Sequence, residues 1–132
     1  MSPASYVLDS SALLALLNDE PGGQRVWAVL QRETALLLSV NLTEILTRLA
    51  DWKIPLDAAL ERLHALPVDV VGFDESLAVA AAALRDSTRH RGLSLGDRAC
   101  LALGQQLGAT VLTADRAWAQ LDVGVTIECL RP

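Results

Sequence analysis

The chain has 132 residues, a length typical of one domain that folds around its own core without disulfides or a structural metal. Hydrophobic residues make up 52% and charged residues 20%, which excludes an intrinsically disordered chain. The apolar runs are too short to cross a bilayer, and the first residues lack the pattern of a signal peptide. We therefore expect a cytoplasmic protein with no membrane association and a single domain over residues 1–132.

The net charge of −5 by itself argues against a nucleic-acid partner. However, ten of the eleven basic residues are arginine, the side chain best suited to binding phosphate. Bound divalent cations would also cancel part of the acidic charge. The overall sign of the charge therefore leaves an RNA partner open.

Short apolar runs alternate with amphipathic stretches along the chain, which predicts a parallel sheet with helices on both faces. In such sheets the active site lies beyond the carboxyl ends of the strands. In chain order the predicted elements are a strand at 5–8, helices at 10–17 and 24–32, a strand at 35–40, helices from 41 and at 56–66, a strand at 68–71, helices from 74 to about 89 and from 94 to 107, a strand at 110–112, a short helix at 114–121 and a strand at 125–127.

Four acidic residues fall where this sheet would bring them together. Asp9 follows the first strand and Asp115 follows the fourth, whereas Glu44 and Asp97 are expected in the first turns of two helices. Gathered carboxylates repel one another and become favourable only around a hard cation such as Mg²⁺ or Mn²⁺. Such a cation activates water and neutralises charge on a phosphate. The hydroxyls of Ser11 and Thr113 are candidates for holding carboxylates or waters in place.

Each acid also has a purely structural explanation. Asn41 with Glu44, and Ser94 with Asp97, fit the capping box at a helix N-terminus. The two aspartates after strands are typical N-cap or turn residues. These explanations predict no particular order of acids along the chain, whereas a metal site requires the order that is found.

The order of the acids and the sequences around them resemble the PIN domain family, and in particular the VapC toxins of VapBC toxin–antitoxin pairs. The segments that carry the resemblance are VLDSSALLA at 7–15, NLTE at 41–44, LSLGDRACLALG at 93–104 and VLTADRAW at 111–118. The resemblance implies an α/β fold, a three-layer α/β/α sandwich with a five-stranded parallel sheet. It also implies an endoribonuclease that hydrolyses RNA phosphodiester bonds with a water activated by Mg²⁺ or Mn²⁺.

The resemblance further implies which residues act and which partners bind. It places the metal-binding and catalytic acids of the family at Asp9, Glu44, Asp97 and Asp115, and its hydroxyls at Thr113 and Ser11. Such toxins dimerise and are inhibited by a VapB-type antitoxin in heterotetramers or larger assemblies, with an antitoxin segment in a groove near the active site. Our candidates for an apolar groove of this kind are Leu14, Leu17, Trp27 and Trp52.

Arg85, Arg89 and Arg91 fall within seven positions and are our candidates for contact with the RNA backbone. Their alternative role is that of a solvated helix end favoured by the helix dipole.

Two other classes of protein fit less well. A phosphatase with Asp9 as nucleophile would carry a second acid at position 11, which is Ser11, and a receiver domain would need a late lysine, whereas the only lysine is Lys53. A PIN-like module that binds RNA or protein without cleaving it remains an alternative. The presence of all four acids argues against it.

Overall fold

The computed structural model describes residues 6–131, so that Ser5 of the first predicted strand and both ends of the predicted domain lie outside the described residues. Five strands form one wholly parallel sheet in the order β3-β2-β1-β4-β5. The strands are β1 (Tyr6–Leu8), β2 (Ala35–Leu38), β3 (Asp69–Val71), β4 (Thr110–Thr113) and β5 (Ile127–Cys129).

Helices cover both faces of the sheet, which confirms the expected three-layer α/β/α sandwich. The α-helices are α1 (Ser10–Leu17), α2 (Gly23–Arg32), α3 (Ser39–Asp51), α4 (Leu56–His64), α5 (Glu75–Thr88) and α6 (Leu95–Leu107), and two 3₁₀ turns span Arg89–Arg91 and Arg116–Gln120. Within residues 6–131, none of these helices is long and apolar enough to cross a membrane.

Successive side chains along each strand point to opposite faces of the sheet. The hydrophobic core is therefore divided into two clusters, one on each face. Val7, Leu38 and Val111 pack with residues of α5 and α6 on one face. On the other face, Leu8 and Leu112 pack with residues of α1, α2, α3 and α4. The buried strands are therefore apolar on both faces, as expected for a parallel sheet.

The boundaries of the described elements agree with prediction to within two residues, and three differences affect the interpretation. The strand predicted at 35–40 ends at Leu38 and α3 begins at Ser39, because an apolar run does not mark where a strand becomes a helix. The segment 114–121 contains a 3₁₀ turn and not an α-helix. The last strand begins at Ile127 and not at 125, and its Glu128 is compensated by a 2.7 Å ion pair with Arg25.

The order in which strands are added to the sheet reverses at the pair formed by β1 and β4. From β1 the order runs through β2 to β3 on one side, whereas β4 and β5 extend the sheet on the other side. Leu8 of β1 pairs with Leu112 of β4, and the pairing continues as the Asp9 N–H donates to the Leu112 carbonyl at 2.9 Å. Ligands in sheets of this kind bind in the crevice at the carboxyl ends of such a pair. Asp9 lies at that crevice.

Candidate active site

Asp9 is a buried carboxylate fixed by two hydroxyls. The residue is 4% exposed, and its Oδ2 accepts hydrogen bonds from Ser11 Oγ at 2.6 Å and from Thr113 Oγ1 at 2.9 Å. Each hydroxyl in turn accepts from a backbone N–H, that of Ala114 at 3.0 Å and that of Asp115 at 3.1 Å. The backbone at the end of β4 therefore aims both hydroxyl protons at one oxygen of Asp9.

The charge of Asp9 is costly in this position. Burial is the largest cause that raises its pKa, and together with repulsion from Asp97 and Glu44 it brings the pKa from 3.8 to about 6, although the hydroxyls of Ser11 and Thr113 lower it. A cation beside Asp9 would offset both the burial and the repulsion.

Glu44 is brought toward the site by a buried asparagine on its own helix. Asn41 is fully buried, and its Nδ2 donates to Glu44 Oε1 at 2.9 Å and to the Gly96 carbonyl at 3.2 Å. A Cβ at Gly96 would lie 2.6 Å from the Glu44 carboxyl carbon, so that only glycine leaves room for this carboxylate. Asn41 thus joins α3 to the first turn of α6.

The structure corrects two expectations about this pair. Because α3 begins at Ser39, Glu44 lies beyond the first turn and Asn41 does not cap the helix. Asn41 is the third residue of α3, and its Oδ1 is buried without a hydrogen-bond partner among the described residues. The capping box proposed for Asn41 and Glu44 is therefore wrong, and their contact is a side-chain hydrogen bond within the helix.

For Asp97 and Asp115 the capping explanation is confirmed. Asp97 Oδ2 accepts from the Ser94 N–H at 3.0 Å, and Ser94 Oγ accepts from the Asp97 N–H at 3.1 Å, which completes a capping box. Asp115 Oδ1 accepts from the Ala117 N–H at 3.0 Å at the start of a 3₁₀ turn. Each cap involves only one oxygen of its carboxylate.

The four acids lie close enough to influence one another. Burial chiefly raises the pKa of Asp97, the hydrogen bonds with Ser94 lower it, and the charges of Glu44 and Asp115 raise it further. Since Asp97 and Glu44 also act on Asp9, all four carboxylates belong to one electrostatic cluster.

The donor set fits a hard divalent cation. Every candidate ligand is a carboxylate oxygen, the type that Mg²⁺ and Mn²⁺ select. Among residues 6–131, no three His, Cys, Asp or Glu side chains are already arranged to hold a metal ion. This does not conflict with magnesium, because Mg²⁺ usually binds through one or two carboxylates and keeps several waters. Asp9 would be the fixed ligand in such a site, and Glu44, Asp97 and Asp115 share its electrostatic cluster.

A family model described as PIN domain matches residues 6–124. The chain belongs to the PIN domain family. No curated protein sequence matches it.

Solved structures resemble this PIN domain over nearly its whole length. A chain of a toxin–antitoxin complex from Klebsiella pneumoniae matches with a TM-score of 0.75 and 16% identity, covering 96% of this chain and 98% of that one. A chain of VapBC2 from Rickettsia felis, bound to a promoter DNA fragment, matches with a TM-score of 0.73 and 14% identity over 93% and 96% of the two chains. FitAcB from Neisseria gonorrhoeae matches with a TM-score of 0.70 and 21% identity over 95% and 97%. The likeness is one of fold.

The three candidate RNA-binding arginines lie ahead of α6 in this PIN domain. Arg85 is exposed in the last turn of α5, and Arg89 and Arg91 are exposed in the following 3₁₀ turn, three to five residues before Ser94. Arg89 forms an exposed 2.8 Å ion pair with Asp86, and an exposed pair of this kind is readily exchanged for another anion. Their contact with RNA stays a prediction.

Two of the four groove candidates line one groove of about 220 Å³ beside Ser11, and two do not. Leu14 and Trp52 lie in its walls, together with Arg48, Arg131 and Ala114. Leu17 packs against the core, and Trp27 is 47% exposed on α2 away from this lining. The lining is mixed and not apolar, because two arginines and a glutamate contribute to it.

Two residues that shape the site were not predicted to do so. In the sequence, Asn41 indicates only a helix cap, and Gly96 is only part of a segment that carries the resemblance. The signal that would have found Gly96 is a glycine inside a helix directly before a candidate ligand, because glycine there is unfavourable unless another group needs the space.

Proposed function

We propose that this PIN domain is a Mg²⁺- or Mn²⁺-dependent endoribonuclease and the toxin of a type II toxin–antitoxin pair. The observation that carries the proposal is the buried Asp9 where the strand order reverses, fixed by Ser11 and Thr113 and joined with three further acids in one electrostatic cluster. A carboxylate kept in such a position at an energetic cost is typical of a functional site.

The four acids would hold the cation, with Asp9 as the fixed ligand. A bound Mg²⁺ or Mn²⁺ supplies Lewis acidity, which makes water more acidic and neutralises charge on the phosphate and the leaving oxygen. Ser11 and Thr113 hold Asp9 in place, and Asn41 with Gly96 positions Glu44. In the hydrolysis a water oxygen bonds to phosphorus, the bond to the leaving oxygen breaks, and that oxygen takes up a proton.

Partners are proposed on the same basis. The fold shared with chains of toxin–antitoxin complexes supports a VapB-type antitoxin as the inhibitor. We propose a homodimer that associates with its antitoxin in a heterotetramer or a larger assembly in the cytoplasm. RNA is the proposed substrate.

The test is cleavage of RNA by purified protein in Mg²⁺, in Mn²⁺ and in EDTA. Asp9→Asn and Asp97→Asn are the informative variants, because an asparagine Oδ1 still accepts hydrogen bonds but lacks the charge. Its donors are the Ser11 and Thr113 hydroxyls at position 9 and the Ser94 N–H at position 97. Asp57→Asn is the matched control, since Asp57 is exposed in the first turn of α4 and outside the cluster. We expect cleavage that EDTA abolishes and that both site variants lose by a factor of about 100 or more. Equal cleavage by wild type and all three variants would contradict the proposal.

A PIN module that binds without cleaving is the second candidate. It is favoured by the caps that occupy one oxygen each of Asp97 and Asp115, and by the lack of a preassembled three-ligand group among residues 6–131. It predicts RNA or protein binding that Asp9→Asn leaves intact and no cleavage under any metal condition.

A further inference from the structure

A groove next to the acidic cluster has a composition that the catalytic proposal does not explain. Its inner end is formed by Ser11 and Ala114, which are joined by a 3.0 Å hydrogen bond beside Asp9. Leu14 of α1 forms one wall, and Arg48 and Trp52 of α3 form another. The groove therefore begins at the acidic cluster and extends away from it along α3.

The wall on α3 is continuous with the acidic cluster because of helix periodicity. Glu44, Arg48 and Trp52 are spaced at i, i+4 and i+8, which places them along one face of the helix. Moving from the acids, a ligand would meet a carboxylate, then a guanidinium, then an aromatic ring. A polyanion whose reacting phosphate lies at the acids would meet its first positive charge on this helix at Arg48.

The two side chains are available for a ligand. Trp52 is 38% exposed, and its backbone N–H is fixed by bonds of 3.1 Å to the carbonyls of Arg48 and Leu49. Arg48 is exposed and has no ion-pair partner within residues 6–131, whereas Arg131 across the groove is paired with Glu20 at 3.1 Å. An exposed aromatic ring in the same groove as an unpaired guanidinium is the combination that stacks a base and binds its phosphate.

We propose that this groove binds one unpaired nucleotide of the RNA, next to the phosphate at the acidic cluster. The base stacks on Trp52 and its phosphate binds Arg48. The proposal rests on the proposed function, because it deepens the same site. The groove volume of about 220 Å³ is below the roughly 300–1,000 Å³ of pockets for drug-sized ligands and suits a single flat ring. The exposed guanidinium and the mixed lining favour a nucleotide over an apolar peptide segment.

The test measures RNA binding separately from cleavage. In an Asp9→Asn background, binding of a fluorescein-labelled single-stranded oligoribonucleotide of mixed sequence is followed by anisotropy with Mn²⁺ present. Trp52→Ala is expected to weaken binding about 5- to 150-fold, the range for loss of one base stack, and Trp52→Phe to restore most of it. Trp27→Ala is the matched control, because Trp27 is also exposed but lies outside the groove. It should bind as the parent does.

Tryptophan emission gives an independent readout of stacking. In a Trp27→Phe background Trp52 is the only exposed tryptophan, since Trp118 is 1% exposed. The oligoribonucleotide is expected to quench this emission, whereas an abasic ribose-phosphate oligomer of equal length should not. Quenching by both oligomers to the same extent would overturn base stacking on Trp52.

Salt dependence tests the role of Arg48. Arg48→Ala is expected to reduce the slope of log affinity against log salt by about 0.7, the value for one contact with a single-stranded phosphate. Arg32→Ala, an exposed arginine in the last turn of α2, is the control and should leave the slope unchanged. An unchanged slope in Arg48→Ala would overturn the phosphate contact.

The outcomes separate this proposal from the nuclease proposal. Trp52-dependent RNA binding without cleavage by the wild type would refute the nuclease alone. If the wild type cleaved RNA and Trp52→Ala bound RNA within twofold of its parent, the nucleotide site alone would be refuted. If Trp52→Ala weakened capture of a VapB-type antitoxin but not of RNA, the groove would be an antitoxin site and the nucleotide proposal would be wrong. Absence of RNA binding both by Asp9→Asn with Mn²⁺ and by the wild type in EDTA would also overturn it.

Discussion

Gly96 on α6 lies directly against the carboxylate of Glu44 on α3, where a Cβ would come within 2.6 Å of the Glu44 carboxyl carbon. Glycine inside a helix is less stable than alanine by roughly 0.5–1 kcal/mol, so this position carries a cost in stability. The contact is with the end of a flexible side chain, which can move aside. A substitution here should therefore displace the acid and leave the fold intact.

We expect Gly96→Ala to lower Mn²⁺ affinity and RNA cleavage about 10- to 100-fold while the protein stays folded, as is typical for loss of a residue that orients a ligand. The measurements are Mn²⁺ titration, cleavage rate and thermal unfolding. Gly72→Ala is the control, because a Cβ at Gly72 would meet nothing within 4 Å. Full Mn²⁺ affinity in Gly96→Ala would show that the position of Glu44 is unimportant.

Thr113→Val keeps the shape of a buried residue of β4 and removes one of the two hydroxyls that bind Asp9. Because hydrogen bonds to the carboxylate lower its pKa, their loss should raise the pKa of Asp9 above about 6. At subsaturating Mn²⁺, where protons compete with the cation for Asp9, we expect the acidic limb of the profile of kcat/KM against pH to move to higher pH. Thr110→Val at the other end of the same strand is the control and should leave that limb in place.

The metal-free protein should lose stability as Asp9 ionises. Its pKa is about 6 in the fold and 3.8 when unfolded, so that between these values the folded protein binds more protons. This contribution to the free energy of unfolding is fully present below pH 3.8 and lost as pH rises through about 6. Relative to that of the wild type, the free energy of unfolding of Asp9→Asn should therefore rise by up to about 3 kcal/mol between pH 4 and pH 7.

The measurement is urea unfolding in EDTA across that pH range, with Asp86→Asn as an exposed control. Mn²⁺ should reduce the difference between wild type and Asp9→Asn at pH 7, because it stabilises only a protein that binds it. A difference between the two proteins that did not change with pH would contradict the raised pKa of Asp9.

Charge reversal of Arg85, Arg89 and Arg91 tests the proposed contact with the RNA backbone. We expect weaker RNA binding and a shallower dependence of affinity on salt, by about 0.7 for each phosphate that the variant no longer binds. The triple variant should fold normally, because all three side chains are exposed. Unchanged RNA binding and salt dependence would show that this turn is only a solvated helix end.

Much of the fold and the placement of the acids could be predicted from the sequence, because buried parallel strands have a simple signature. The runs before Asp9 and Asp115 marked two strands, and parallel pairing of those strands brings their carboxyl ends together. The resemblance supplied the five-stranded sheet and the family. Local rules also identified the capping box of Ser94 and Asp97.

Other features depended on contacts between distant segments. The bond from Asn41 to the Gly96 carbonyl spans 55 positions, and nothing in either segment alone requires it. The start of α3 could not be placed because the apolar residues at 35–40 belong to a strand and then to a helix. Trp27 and Trp52 look equivalent in sequence, and only the packing of α1 against α3 places Trp52 at the groove.

The central claim is that Asp9 anchors a divalent cation, and calorimetric titration with Mn²⁺ at pH 6.5 tests it most directly. Repeating the titration in two buffers of different ionisation enthalpy counts the protons released. We predict that the wild type binds Mn²⁺ with release of protons, and that Asp9→Asn loses at least tenfold in affinity together with that release. Equal Mn²⁺ binding by the two proteins, or none by the wild type, would contradict the account.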